Sequence, residues 1–111
     1  MVCESQGSVY YGSMEIRYLD AKLARLEIDA RFTAGHGTSV VKGFRKVVAF
    51  IRAARDERDL YAMKSLHFEK MEGSRKGQRS VRLNKQWRLF VRIEDEGGRK
   101  MVTVIEIGDP H

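Results

Sequence analysis

With 111 residues the chain has room for one domain and one core that needs no staples. It is 42% hydrophobic and 32% charged, which excludes a disordered chain, and no apolar run approaches the about 20 residues of a membrane span. The net charge of +6 points to a polyanionic partner, nucleic acid or acidic protein, while the single cysteine, Cys3, excludes an internal disulfide or a thiolate metal site and fits a cytoplasmic location.

Residues 1–13, MVCESQGSVYYGS, carry neither periodicity nor the apolar stretch of a signal peptide. They are expected to be a disordered tail or to follow from an upstream start codon, with the domain covering 14–111. Met14 to Leu19 alternates and predicts a strand. Asp20 is a suitable N-cap, and Leu19, Leu23, Leu26 and Ala30 predict a helix over roughly 20–31. The loop TAGHGTS follows, with Thr38 or Ser39 placed to cap the next helix. That helix is the clearest element. Val40, Phe44, Val47, Val48 and Ile51 form one apolar stripe, and Lys42, Arg45, Lys46, Arg52 and Arg55 occupy the rest. In DERDLYAM, Leu60 and Met63 are placed to anchor a helical turn.

After Ser65 the period changes to two. Leu66 and Phe68 point one way, and His67 and Glu69 the other. Gly73 to Gly77 is a basic loop carrying Arg75 and Lys76. Val81 and Leu83 alternate with Arg82 and Asn84, and a tight turn at Asn84-Lys85 or Lys85-Gln86 leads into the next strand. There Trp87, Leu89, Val91 and Ile93 face one way, and Arg88, Phe90 and Arg92 the other. Phe90 reads as core beneath a loop rather than as a base-stacking surface. Glu94 to Gly98 is an acidic turn, and MVTVIEI a strand covered on both faces. The expected fold is α+β: an N-terminal strand, two helices, then a curved antiparallel sheet of about four strands. The helices cover one face. The other collects His67, Arg82, Arg88 and Arg92.

Histidine, arginine, lysine and a carboxylate on an open face suit metal-free cleavage of RNA. A base takes the 2′-hydroxyl proton, an acid protonates the departing 5′-oxygen, and cations stabilise the phosphorane. Histidine serves either proton role, and the 2′-hydroxyl requirement selects RNA over DNA. His36, His67 and His111 lack metal-ligand spacing, and no phosphate-binding glycine motif or nucleophile elbow occurs. Against this stands the plainer reading of a structural His67, solubilising arginines and a frayed His111.

The run SLHFEKMEGSRKGQRSVRLNKQWRLFVRIED, followed by VTVIEIGDPH, resembles the HigB branch of the RelE/ParE toxin superfamily, the plasmid maintenance system killer proteins, over roughly residues 14–111. The resemblance implies the toxin of a type II toxin–antitoxin system, a RelE-like fold, and cleavage of mRNA on the 70S ribosome without a cofactor. It implies as partner a HigA-type helix-turn-helix antitoxin, through which alone the complex reaches operator DNA. Carried over residue by residue, it implies catalytic roles for His67, Lys70, Arg88, Asp109 and His111, with Arg82 a weaker match. Lys42, Arg45, Lys46, Arg75, Lys76 and Arg92 are the candidates for docking on RNA or the ribosome. The family tail is Asp-Tyr-His, whereas here Pro110 stands in place of tyrosine, which removes a stacking ring and holds Asp109 extended. Two alternatives share the fold: a ParE-like gyrase inhibitor, and a toxin of weakened activity that still binds its antitoxin.

Overall fold

The computed structural model describes residues 14–109. The expectations for residues 1–13, Pro110 and His111 lie outside the described residues. Among the described residues there are five strands and three helices: β1 (Glu15–Tyr18), α1 (Ala21–Ile28), α2 (Thr38–Ala53), α3 (Glu57–Ala62), β2 (Glu69–Lys70), β3 (Arg79–Arg82), β4 (Arg88–Glu96) and β5 (Arg99–Gly108). The sheet order is β1-β5-β4-β3-β2. From β2 to β5 every pairing is antiparallel, as expected, but β1 joins β5 in parallel, so the sheet is mixed. Parallel pairing needs a long crossover, and the whole helical layer supplies it.

The helices form where the apolar stripes predict them. Asp20 caps α1 by accepting the Lys22 N–H at 2.8 Å. The helix stops at Ile28 rather than near residue 31. There the Asp29 carboxylate accepts the Arg31 N–H at 3.0 Å and so competes with continuation of the helix. The stripe of α2 is buried throughout. Its N-cap, however, is Gly37, and neither Thr38 nor Ser39 caps it. The Ser39 hydroxyl instead accepts the Asn84 side-chain N–H at 2.9 Å, tying α2 to the loop between β3 and β4. Gly43 is the other tie, because a Cβ there would sit 2.3 Å from the Leu83 carbonyl oxygen. In α3 Leu60 is fully buried, while Met63, just past the helix end, is exposed.

The core lies between the helices and one sheet face, where Val81, Leu89, Val91, Val102 and Val104 are buried against Phe44, Val48 and Ile51. Gly97 and Gly98, at φ of 63° and 86°, turn the chain between β4 and β5. These are left-handed angles that glycine adopts without Cβ strain. A register shift between Phe90 and Val91 leaves Ile105 as an extra residue in β5.

Candidate functional site

His67 is not on a strand. A 3-10 turn over Lys64–Leu66 precedes it, its N–H bonds the Lys64 carbonyl, and its backbone is left-handed at φ 46°, ψ 49°. The turn's own hydrogen bond overrides the alternation. Leu66 and Phe68 are nevertheless both buried, as the pattern required. A left-handed non-glycine residue costs about 1–2 kcal/mol, and such strain concentrates where a side chain must be aimed for function.

The register of β3 and β4 sets Arg82 directly opposite Arg88, and Ser80 opposite Phe90, on the face away from the helices. Like charges facing each other across a ladder repel. Each guanidinium is held by its own partners. Arg88 Nε donates to the Ser80 hydroxyl at 2.9 Å, and an Nη donates to the His67 carbonyl. Arg82 Nε donates to the Asn84 carbonyl at 3.3 Å, and its Nη1 meets His67 Nε2 at 3.1 Å. A guanidinium N–H only donates, so this contact is a hydrogen bond in the tautomer that leaves Nε2 as acceptor. Burial pushes the Arg88 pKa below the ordinary arginine value; the Glu69 carboxylate opposes that shift and Arg82 adds to it. Arginine still keeps its charge.

Gly108 lies opposite Arg88, which delivers the end of β5 to this cluster. Asp109 follows, and its carboxylate accepts the Gln86 side-chain N–H at 2.8 Å. Gln86 belongs to the turn in which Asn84 Oδ1 accepts the Gln86 and Trp87 N–H groups at 2.9 and 2.8 Å. The β3–β4 connection is therefore this wider side-chain-closed turn, not a two-residue hairpin. His67, Arg82, Arg88 and Asp109 thus gather at one end of the sheet.

Other expected site residues are placed elsewhere. Lys70 pairs with Arg79, and this register turns it toward the helix side of the sheet. Glu69, paired with Ser80, shares the face of Arg88 instead. Arg45 is occupied inside the fold, with Nε donating to the Leu26 carbonyl at 3.0 Å and an Nη to those of Asp29 and Phe32 at 2.9 and 3.1 Å. Arg75 folds back over the sheet. Its guanidinium lies 3.7 Å from the Phe90 ring centroid, donates to the Gln78 side-chain oxygen at 2.9 Å and pairs with Glu106. Phe90 is accordingly buried under a loop, as its sequence context suggested. Arg92 pairs with Glu94 at 3.7 Å, beyond Phe90 from the cluster. Lys42, Lys46 and Lys76 are exposed.

Sequence reasoning missed Ser80, whose alternation with Arg82 was the available signal. Glu69, set by alternation on the side of His67, is found on this face as well. Among the described residues no group of three His, Cys, Asp or Glu side chains is placed to hold a metal ion, and no described helix is long and apolar enough to cross a membrane.

The chain matches the family model of the RelE-like toxin of the type II toxin–antitoxin system HigB over residues 17–104. A search of curated proteins finds no match. Among solved structures, it is similar to a YoeB/ParE toxin from Agrobacterium tumefaciens at 16% identity and a TM-score of 0.54, covering 88% of this chain and 100% of that one. It is also similar to the YoeB–YefM complex from Staphylococcus aureus, at 15% identity and a TM-score of 0.55, covering 88% and 97%. The DinJ–YafQ toxin–antitoxin complex of E. coli gives 14% identity and a TM-score of 0.55, covering 87% and 92%. At these identities the likeness is one of fold.

Proposed function

Because the chain belongs to the HigB family of RelE-like type II toxins, we propose that it is an endoribonuclease that cuts mRNA on the ribosome. The observation that carries this reading is the Arg82–Arg88 pair, two facing guanidiniums beside the imidazole of His67. A phosphate seated between them relieves their repulsion and receives charge-assisted hydrogen bonds from both. His67 Nε2, released from Arg82, takes the proton of the 2′-hydroxyl. The 2′-oxygen bonds to phosphorus, the bond from phosphorus to the 5′-oxygen breaks, and an acid returns a proton to that oxygen. The products are a 2′,3′-cyclic phosphate and a 5′-hydroxyl. The two arginines stabilise the charge that grows on the phosphorane.

Asp109 stands at the same end; its proposed role is to orient His111 or to contact the RNA, and His111 is the proposed proton donor. These groups supply both proton transfer and charge stabilisation, so the proposed reaction draws on no metal. Exposed Lys42, Lys46 and Lys76 are the proposed ribosome contacts, with positioning rather than chemistry as their role. The proposed partner is a HigA-type helix-turn-helix antitoxin, and the proposed location is the cytoplasm.

The test is induced expression in a bacterium, with 5′ ends of cellular RNA mapped within minutes for wild type and His67→Asn. Asparagine tolerates the left-handed backbone, so this variant removes the imidazole and keeps the turn. New 5′ ends inside translated codons in wild type alone are the expected outcome. Growth arrest without new ends would overturn the nuclease reading in favour of a gyrase-directed toxin. Arg88→Lys is expected to keep the charge, lose the two-point grip and slow cutting by about 10²-fold.

A further inference from the structure

The strand β3 begins and ends with an arginine, and each faces a cation on a neighbouring strand. Arg82 faces Arg88 within the cluster described above. Arg79 faces Lys70 across the β2–β3 pair, on the other side of the sheet. Two cations opposed in this way destabilise the edge of a sheet. A second, independent observation concerns Arg79 itself: its Nε is buried and has no hydrogen-bond partner among the described residues. A buried N–H left unpaired costs about 1–3 kcal/mol, and a fold that keeps one beside an opposed lysine calls for an anion.

We propose that Lys70 and Arg79 form a second phosphate-binding fork, which grips the RNA strand away from the bond that is cut. This rests on the nuclease reading above. Adjacency favours RNA over an acidic protein segment. Lys70 lies three residues beyond His67, so the chain separates them by at most about 10 Å. β2 is the edge strand, and between His67 and Lys70 only Phe68, which is buried, and Glu69, which faces Arg88, intervene. A strand of RNA leaving the Arg82–Arg88 fork crosses this edge next, and the alternating faces of β2 and β3 set one fork on each side of it. Arg79 is thus a positioning residue that fixes where along the message the cut falls.

The experiment programs ribosomes with short messages in which one phosphate at a time, through the A-site codon and its flanks, is replaced by a neutral methylphosphonate. Wild type, Arg79→Met and Arg79→Lys are compared. Methionine keeps the apolar stem that packs at the edge and removes the charge. Expected in wild type is one position, distinct from the scissile linkage, at which neutralisation slows cutting about tenfold. In Arg79→Met cutting of the unmodified message falls by a similar factor, and that position loses its effect, while Arg79→Lys restores part of both. The scan in wild type needs no variant, so it stands even if Arg79→Met folds poorly. Uniform cutting of every message neutralised outside the scissile linkage overturns the fork. So does an Arg79→Met variant that weakens antitoxin binding alone, which would assign the two cations to a protein carboxylate. If wild type leaves every ribosome-bound message intact, the nuclease reading itself falls, a result distinct from uniform cutting.

Discussion

Gly43 and His67 show how single backbone positions decide the geometry of the cluster. Gly43 lets α2 lie against the Leu83 carbonyl, and Leu83 opens the turn that leads to Arg88. Gly43→Ala puts a Cβ into a backbone atom rather than into a yielding side chain. It is expected to lower stability by about 2 kcal/mol, read from a denaturant melt, with the β3–β4 turn losing hydrogen-exchange protection first. His67 works in the opposite sense, since its left-handed backbone is strained by its own side chain. His67→Asn and His67→Gly are expected to match wild type in thermal stability while abolishing cutting. His67→Val is expected to lose about 1–2 kcal/mol as well. If all three variants melted together well below wild type, the strain argument would be wrong.

The same two residues mark what was legible in the sequence. Alternation in SVRL and WRLFVR placed Arg82 and Arg88 on a common face correctly, because a period of two survives as long as the strand does. At His67 a 3-10 turn stands where the alternation implied a strand, although Leu66 and Phe68 are buried and Glu69 lies on the opposite face, as the alternation has them. Arg45 was hidden for another reason. An arginine that packs its stem and spends its donors indoors has the same letter as a solvated one.

At the level of elements, arginines join pieces that the apolar stripes merely bring close. Arg45 of α2 holds three main-chain carbonyls at the end of α1 and the start of the following loop. Its removal leaves those acceptors without their shared donor. Arg45→Ala is expected to cost about 2–3 kcal/mol. Native-state hydrogen exchange should show α1 opening before α2. A second junction links β1, α1 and α2: Tyr18 donates to Glu27 at 2.7 Å, and Arg52 donates to the same carboxylate at 2.5 and 2.8 Å. The Arg52 hydrogen bonds hold the Glu27 carboxyl below the ordinary glutamate range, against the opposing effect of burial.

A depressed folded-state pKa stabilises above the unfolded value, about 4.3, and that contribution is lost as pH falls through the folded value. Wild type is therefore expected to lose stability below about pH 4.3 more steeply than Glu27→Gln, in melts compared from pH 7 to pH 3. Parallel curves would deny Glu27 that role. The apolar stripe of α2 made the helix legible, but neither junction was. The sequence does not announce that Glu27 will meet Arg52 from another helix.

Across the whole molecule, the parallel pairing of β1 with β5 sets Glu15 opposite Met101 and Tyr18 opposite Val104. These are the most distant partners in the sheet. Closing so long a loop costs entropy before any contact repays it, whereas β3, β4 and β5 are joined by short turns and pair locally. The meander that carries Arg82, Arg88 and Asp109 therefore assembles early, and β1 docks last. Ile16→Ala is expected to speed unfolding and leave the folding rate nearly unchanged, a φ-value near 0, whereas Val91→Ala slows folding. Until β1 docks, the outer edge of β5 is an unpaired strand that another copy's β1 can fill. Late docking makes exchange of β1 between two chains the characteristic error of this fold at high concentration, and a dimer swapped in this way still carries two intact Arg82–Arg88 clusters.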